Sequence, residues 1–304
     1  MKAFKTLLLL LALSTPCWAT STINPGNPYS YGANVGWMNW RHNQPNSGDG
    51  VVIGEYVCSG YIYGANIGWI NMGDGEPENF IQYSNTSAND FGVNYQIDPT
   101  LPGKAILRGY AYGANIGWIN FESTGNPRLR FSDGRLEGYA YSANCGWINL
   151  GDGSFAVQTD TIRPGFDDDM DGMADAFEWQ YFDGLGKTAA TDTDGDGMTD
   201  VQEYLNGTDP TLPGDRLRII SLAITARDAT NTSTQLLWAS TLSRLYAIDT
   251  TTDLTNPASW ADLGLDSGPN SVVPSVGTST SRTVNTPTVP ARFFRVRAVR
   301  PLAP

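Results

Sequence analysis

Histidine is almost missing from this chain: His42 is the only one in 304 residues. Zinc hydrolases of the usual kinds need several imidazoles or thiolates and are excluded. A serine-histidine-aspartate triad would have to use His42, which lies in the loop RHNQPNSGDG with no G-x-S-x-G elsewhere, so His42 reads as a surface residue. Cysteine is scarce too, with three residues. A catalytic cysteine lacks a histidine partner. Basic residues number 19 against 31 acids, a formal net charge of −12, which excludes nucleic acid and anionic membrane as natural partners. No glycine-rich loop precedes a helix to cradle phosphate. Nor does any stretch reach the roughly 20 apolar residues of a membrane-spanning helix.

The one short apolar run, LLLLLALS, follows Met1-Lys2 and Lys5 and precedes Cys17-Trp18-Ala19. That order is a secretory signal peptide over residues 1–19, cleaved after Ala19; Pro16 argues against a lipidated Cys17. The mature chain is therefore expected to be exported, extracellular or on the cell surface. Two cysteines remain, Cys58 and Cys145. Cys58 takes a slot filled elsewhere by Leu107 and Leu136, and Cys145 one filled by Val35, Ile67 and Ile116. Both thiols should face inward, either as free buried thiols or as a disulfide between an early and a late repeat.

What is abundant is repetition. YGANIGWIN stands at 63–71 and again at 112–120, with YGANVGWMN at 31–39 and YSANCGWIN at 141–149. The fuller unit, L-x-G-Y-x-Y-G-A-N-x-G-W-I-N, reads as a β-hairpin turning at Gly-Ala-Asn. Further strands are expected in VVIGEYV, FIQYS, FGVNYQI, KAILRGYAY and LRFSDGRLEGYAY. Residues 20–158 thus form a repeat-built β-domain, closing as a propeller-like ring, a solenoid or a sandwich. Trp37, Trp69, Trp118 and Trp147 hold one fixed position of the unit. Burial in a repeated core is the simpler expectation for them, and a stacking platform for sugar rings is the alternative. Trp40, present in one copy only, reads as an exposed contact. Asn34, Asn66, Asn115 and Asn144 read as turn residues.

Residues 159–215 are acidic, with 15 acids and two bases over 160–215. Two twelve-residue loops match D-x-D-x-D-G-x-x-D-x-x-E. The first uses Asp167, Asp169, Asp171, Gly172, Asp175 and Glu178; the second uses Asp192, Asp194, Asp196, Gly197, Asp200 and Glu203. Calcium takes about 6–8 oxygens, which alternate carboxylates, the position-seven carbonyls of Met173 and Met198, and a closing glutamate supply. Magnesium demands a tighter octahedron. Two Ca²⁺ ions are therefore expected. No helical pattern enters either loop, whereas Ala174, Phe177 and Tyr181, and Val201, Tyr204 and Leu205, mark short helices leaving them.

With DTDGDGMTDVQEY followed by NGTDPTLPGD, the segment resembles the thrombospondin type 3 calcium-binding repeats of exported bacterial proteins. That resemblance implies a calcium-stiffened spacer rather than a catalytic unit. In 216–304, strand patterns LRIISLAIT, TQLLWAS, RLYAIDT and ARFFRVRAV place Phe294, Val296 and Ala298 on one face and Arg295 and Arg297 on the other. This tail resembles a fibronectin-III-like β-sandwich and implies a binding or presentation module.

The fold class expected is mainly β, and the role structural, adhesive or ligand-binding toward an extracellular polysaccharide, an envelope component or a protein. The competing class is a polysaccharide hydrolase using carboxylates of the repeat domain, for which Glu55, Glu122 and Glu137 are the candidates.

Overall fold

The computed structural model describes residues 21–41, 50–266 and 268–303. The leader expected over 1–19 and His42 lie outside the described residues. The chain is mainly β, built from a closed eight-stranded barrel, smaller sheets and two short helices.

Each repeat is one hairpin of the barrel. The four are Tyr29–Gly32 with Gly36–Asn39, Tyr61–Gly64 with Gly68–Asn71, the upper part of Lys104–Gly113 with Gly117–Asn120, and Leu136–Ser142 with Gly146–Gly151. Successive hairpins pair antiparallel at one register: Asn39 faces Tyr63, Asn71 faces Tyr112 and Asn120 faces Tyr141. Asn149 faces Tyr31, which closes the ring. The closure is thus a barrel, rather than a propeller, a solenoid or a sandwich, and it leaves the eight strands no open edge.

Period-two alternation decides what fills it. Met38, Ile70, Ile119 and Ile148 point inward, as do Ser30, Ile62, Ala111 and Ala140 on the opposing strands. Val35, Ile67, Ile116 and Cys145 plug the turn end. Gly36, Gly68, Gly117 and Gly146 follow them with φ of 69–81°, a region glycine enters freely. Each of these glycines also gives room to an asparagine of the next hairpin, since a Cβ on Gly68 would sit 3.3 Å from Asn115 Nδ2.

The asparagines bind the ring together. Asn66 Nδ2 donates to Val35 O, Asn115 to Ile67 O, Asn144 to Ile116 O and Asn34 to Cys145 O, at 3.0–3.1 Å. They serve the neighbouring turn, each locking one hairpin to the hairpin before it.

Trp40 corrects the sequence reading. It is 1% exposed and its indole Nε1 donates to Ser30 Oγ at 2.8 Å. Its position in the unit is that of Met72, Phe121 and Leu150, all buried below the barrel. Trp40→Ala is expected to cost about 3–5 kcal/mol in chemical denaturation. Trp69→Ala, on the outside, should cost far less, and equal losses would show that the two indoles are not differently placed.

Below the hairpins, Lys104–Gly113 continues into a second sheet with Val93–Ile97 and Arg128–Arg130. VVIGEYV contributes only Val52–Ile53, paired with Cys58–Ser59, and FIQYS forms no strand. Cys58 and Cys145 are both free and buried; burial pushes the Cys58 thiol up to about 12.

The C-terminal region is two three-stranded sheets around Leu236, Trp238, Tyr246, Ile248, Val272 and Val284. Ile219–Arg227, Asn231–Ala239 and Ser279–Pro287 form one sheet; Ala261–Asp262, Leu245–Thr251 and Phe293–Val299 form the other. Phe294, Val296 and Ala298 face this core, while Arg295 and Arg297 clasp Asp249 on the outside. Leu245 belongs to the barrel core cluster, with Val273, Val299 and Leu302 packed against it, so barrel and sandwich touch directly.

Candidate functional site

The acidic loops are arranged from within. Asp167 accepts from the backbone N–H groups of Asp171 and Gly172, and Asp192 from those of Gly195 and Gly197. These bonds curl each loop, and Gly172 and Gly197 take φ of 96° and 95° at the bend. The curling gathers one carboxylate oxygen from each of Asp167, Asp169 and Asp171, all within 4.8 Å of one another, and likewise from Asp192, Asp194 and Asp196. Either cluster can hold a metal ion.

Helix α1, Asp175–Phe182, and helix α2, Asp200–Asn206, leave the two loops, and no helix enters either loop among the described residues. A capping box formed by Thr199 and Gln202 starts α2, and Gly207 ends it. The first turn of each helix carries the closing glutamate, and both Glu178 and Glu203 are fully buried. Asp175 accepts from Asp168 N at 2.9 Å, and Asp200 accepts from Thr193 N and Oγ1. These two carboxylates therefore brace their loops and stand outside the three-oxygen clusters. Met173 is buried and Met198 half-buried at position seven.

Five buried carboxylate oxygens have no hydrogen-bond partner: Asp171 Oδ2, both oxygens of Glu178, Asp194 Oδ2 and Glu203 Oε2. Burial, reinforced by Asp171 and Asp169, pushes the Glu178 carboxyl up to about 7. Burial with Asp194 and Asp196 pushes Glu203 up to about 8. Asp171 and Asp175 are raised by the same causes. Unpartnered buried carboxylates are costly unless a cation neutralises them.

The helices are anchored rather than free. Met173, Ala174, Phe177 and Tyr204 form a small core with Tyr56 of the barrel region against it. Next to Glu203, the Tyr204 hydroxyl donates to Glu55 Oε2 at 3.3 Å and accepts from Arg300 at 2.7 Å. Arg244 reaches Glu55 at 3.2 Å and donates to the carbonyls of Tyr204 and Leu205, covering the C-terminal end of α2. One carboxylate thus joins the barrel region, helix α2 and the C-terminal sheets.

On the barrel, the indoles are outside, which overturns the expectation that they form its core. Trp37, Trp69, Trp118 and Trp147 are 43–53% exposed. Each leans between two tyrosines of its own hairpin, 4.9–5.0 Å from the nearer ring and 6.1–6.2 Å from the farther. Four Tyr-Trp-Tyr clusters therefore circle the outer wall. Phe155 packs edge-on to Trp37 and Phe91 to Trp118, a supporting role that repeat comparison did not reveal because neither residue lies in the unit. A hollow of about 220 Å³ beside Trp147 is lined by Asn120, Glu122, Thr124, Gly125 and Tyr141. Another, of about 420 Å³, lies beside Trp37 with Tyr29 and Asn27.

The three glutamates weighed for hydrolysis have separate partners. Glu55 holds Arg244 and Arg300, Glu122 accepts from Gly109 N, and Glu137 pairs with Lys104. None of them shares a partner with another. No helix among the described residues is long and apolar enough to cross a membrane. No family model, curated protein or solved structure matches this chain.

Proposed function

We propose that this chain is a secreted or surface-exposed calcium protein with a non-catalytic, adhesive role. Two Ca²⁺ ions stiffen its body, and the barrel presents four aromatic clusters to an extracellular polymer. The observation that carries the reading is the set of buried, partnerless carboxylate oxygens beside each three-aspartate cluster. The first ion would be held by Asp167, Asp169, Asp171, the Met173 carbonyl and Glu178, with Asp175 in support. The second would be held by Asp192, Asp194, Asp196, the Met198 carbonyl and Glu203, with Asp200 in support. Hard oxygen donors in this number suit calcium better than a transition metal. The resemblance to thrombospondin type 3 repeats supports the same ion.

The ligand arm rests on the exposed indoles. A flat apolar surface beside amide and carboxylate groups suits a pyranose ring, and four equivalent clusters favour a repeating polymer through multivalency. Titrating the protein with soluble neutral polysaccharides while following tryptophan emission tests this. Binding should shift the emission, and removing any one indole should weaken it by at least about fivefold, the effect of ~1 kcal/mol. If a variant lacking all four indoles bound as well as the natural chain, the barrel wall would not be the binding surface.

A further inference from the structure

The sheet edge at Ile219–Arg227 is unusual within this molecule. All nine residues are exposed, among them Ile220 at 49%, Leu222 at 50% and Ile224 at 56%. The strand pairs with Asn231–Ala239 on one side and, among the described residues, with nothing on the other. Leu222 and Ile224 stand opposite Leu236 and Thr234, both buried, so they extend the core face beyond the reach of the opposing sheet.

Sheet edges left open are usually blunted by charge, proline or shortness. The others in this region follow that practice. Ser279–Pro287 carries Arg282 and ends in proline, Phe293–Val299 carries Arg295 and Arg297, and Ala261–Asp262 has two residues. Ile219–Ala226 has neither charge nor proline, although bulges at its two ends bend it away from regular pairing with its neighbour. About Leu222 its centre, Ile220-Ser221-Leu222-Ala223-Ile224, carries an isoleucine two residues away on each side and a small residue one away. A second antiparallel copy centred there sets Ile220 opposite Ile224, Leu222 opposite Leu222, and Ser221 opposite Ala223. The flanking Arg218 and Arg227 then fall opposite uncharged residues, Ala226 and Leu217.

We propose that the occupant of this edge is a second copy of the chain, joined through Ile219–Arg227 into a two-fold symmetric, six-stranded sheet. Opposite residues of an antiparallel pair project to the same face, so the two-fold axis runs perpendicular to the sheet. Both opposing sheets then lie on one side and flank six apolar side chains that each copy alone leaves in water. The inference rests on neither the calcium loops nor the aromatic clusters.

Analytical ultracentrifugation of the full mature chain in calcium should show a dimer. Leu222→Lys places two like charges on the axis and should weaken dimerisation by at least about 100-fold, with the monomer's circular dichroism unchanged because Leu222 is half-exposed there. Leu222→Cys should yield a reducible covalent dimer under oxidising conditions, since opposite Cα atoms about 4.5–5.5 Å apart meet disulfide geometry. Thr225→Cys, six residues from its counterpart in this register, should not. The buried Cys58 and Cys145 stay out of the reaction. A natural chain that remains monomeric at ~100 µM, a dimer indifferent to Leu222→Lys, or equal cross-linking at both positions would each overturn the proposal.

Discussion

Chelating calcium is expected to lower the thermal midpoint of the protein by roughly 10–20 °C. Free ion at about 100 times its dissociation constant contributes ~2.7 kcal/mol per site, and about 2–4 °C accompanies each kcal/mol in a chain of this size class. Glu203→Ala should remove one of two binding events in titration calorimetry and about half of the stabilisation. The pH dependence has a definite sign. Glu178 and Glu203 titrate near 7 and 8 in the ion-free folded state, above the ordinary carboxyl value of about 4.3. Folded protein then holds protons that unfolded chain has released. The stability these two groups contribute in chelator is therefore fullest below about pH 4.3 and is lost as pH rises through 7 and 8. Calcium needs both carboxylates ionised, so its stabilisation grows over that same interval. Melting curves in chelator and in calcium from pH 5 to 8.5 should diverge upward; parallel curves would mean that these glutamates are not ligands.

Glu55→Ala should be the most damaging single change outside the barrel core, at about 3–5 kcal/mol. The substitution strands Arg244, whose side chain is 5% exposed, together with Arg300 and the Tyr204 hydroxyl. Glu55→Gln keeps hydrogen-bond acceptance while losing charge and should cost clearly less. Urea denaturation with limited proteolysis of 183–193 reads both effects, because Tyr204 follows Glu203 in α2 and loss of its anchor loosens the second loop. A Glu55→Ala protein as stable and protease-resistant as the natural one would mean that the three regions are held together elsewhere.

The acidic clusters were legible in the sequence because they depend on local spacing alone: Asp167, Asp169 and Asp171 come together, as do Asp192, Asp194 and Asp196, whereas Asp175 and Asp200 brace their loops instead. Helices after the loops were legible for the same reason. The barrel was not, since ring closure depends on Asn149 meeting Tyr31 across more than 100 residues. The indoles, expected in the core, are outside because Gly68 and its counterparts take a positive φ that breaks the alternation along the hairpin, so Ile67 plugs the barrel while Trp69 faces out. Trp40 carried a readable signal that single-residue inspection missed. Its slot is apolar in every copy, and the copy with an indole there is the copy with serine at position 30, the group that satisfies the indole N–H. The strand Ser279–Pro287 is rich in Thr and Ser and lacks an apolar row, which hid it.

The cyclic chain of asparagine bonds has a consequence for assembly. Each hairpin recognises its predecessor through the same amide-to-carbonyl contact, so the contact itself cannot tell a correct neighbour from a wrong one. Order must come from what lies between the hairpins, and from the third and fourth, whose first strands, Lys104–Gly113 and Leu136–Ser142, both run from the ring to pair with Arg128–Arg130 in the sheet beneath. Those two strands key the wheel: exchange of hairpins between molecules, or insertion in the wrong sequence, would leave Arg128–Arg130 without its neighbours.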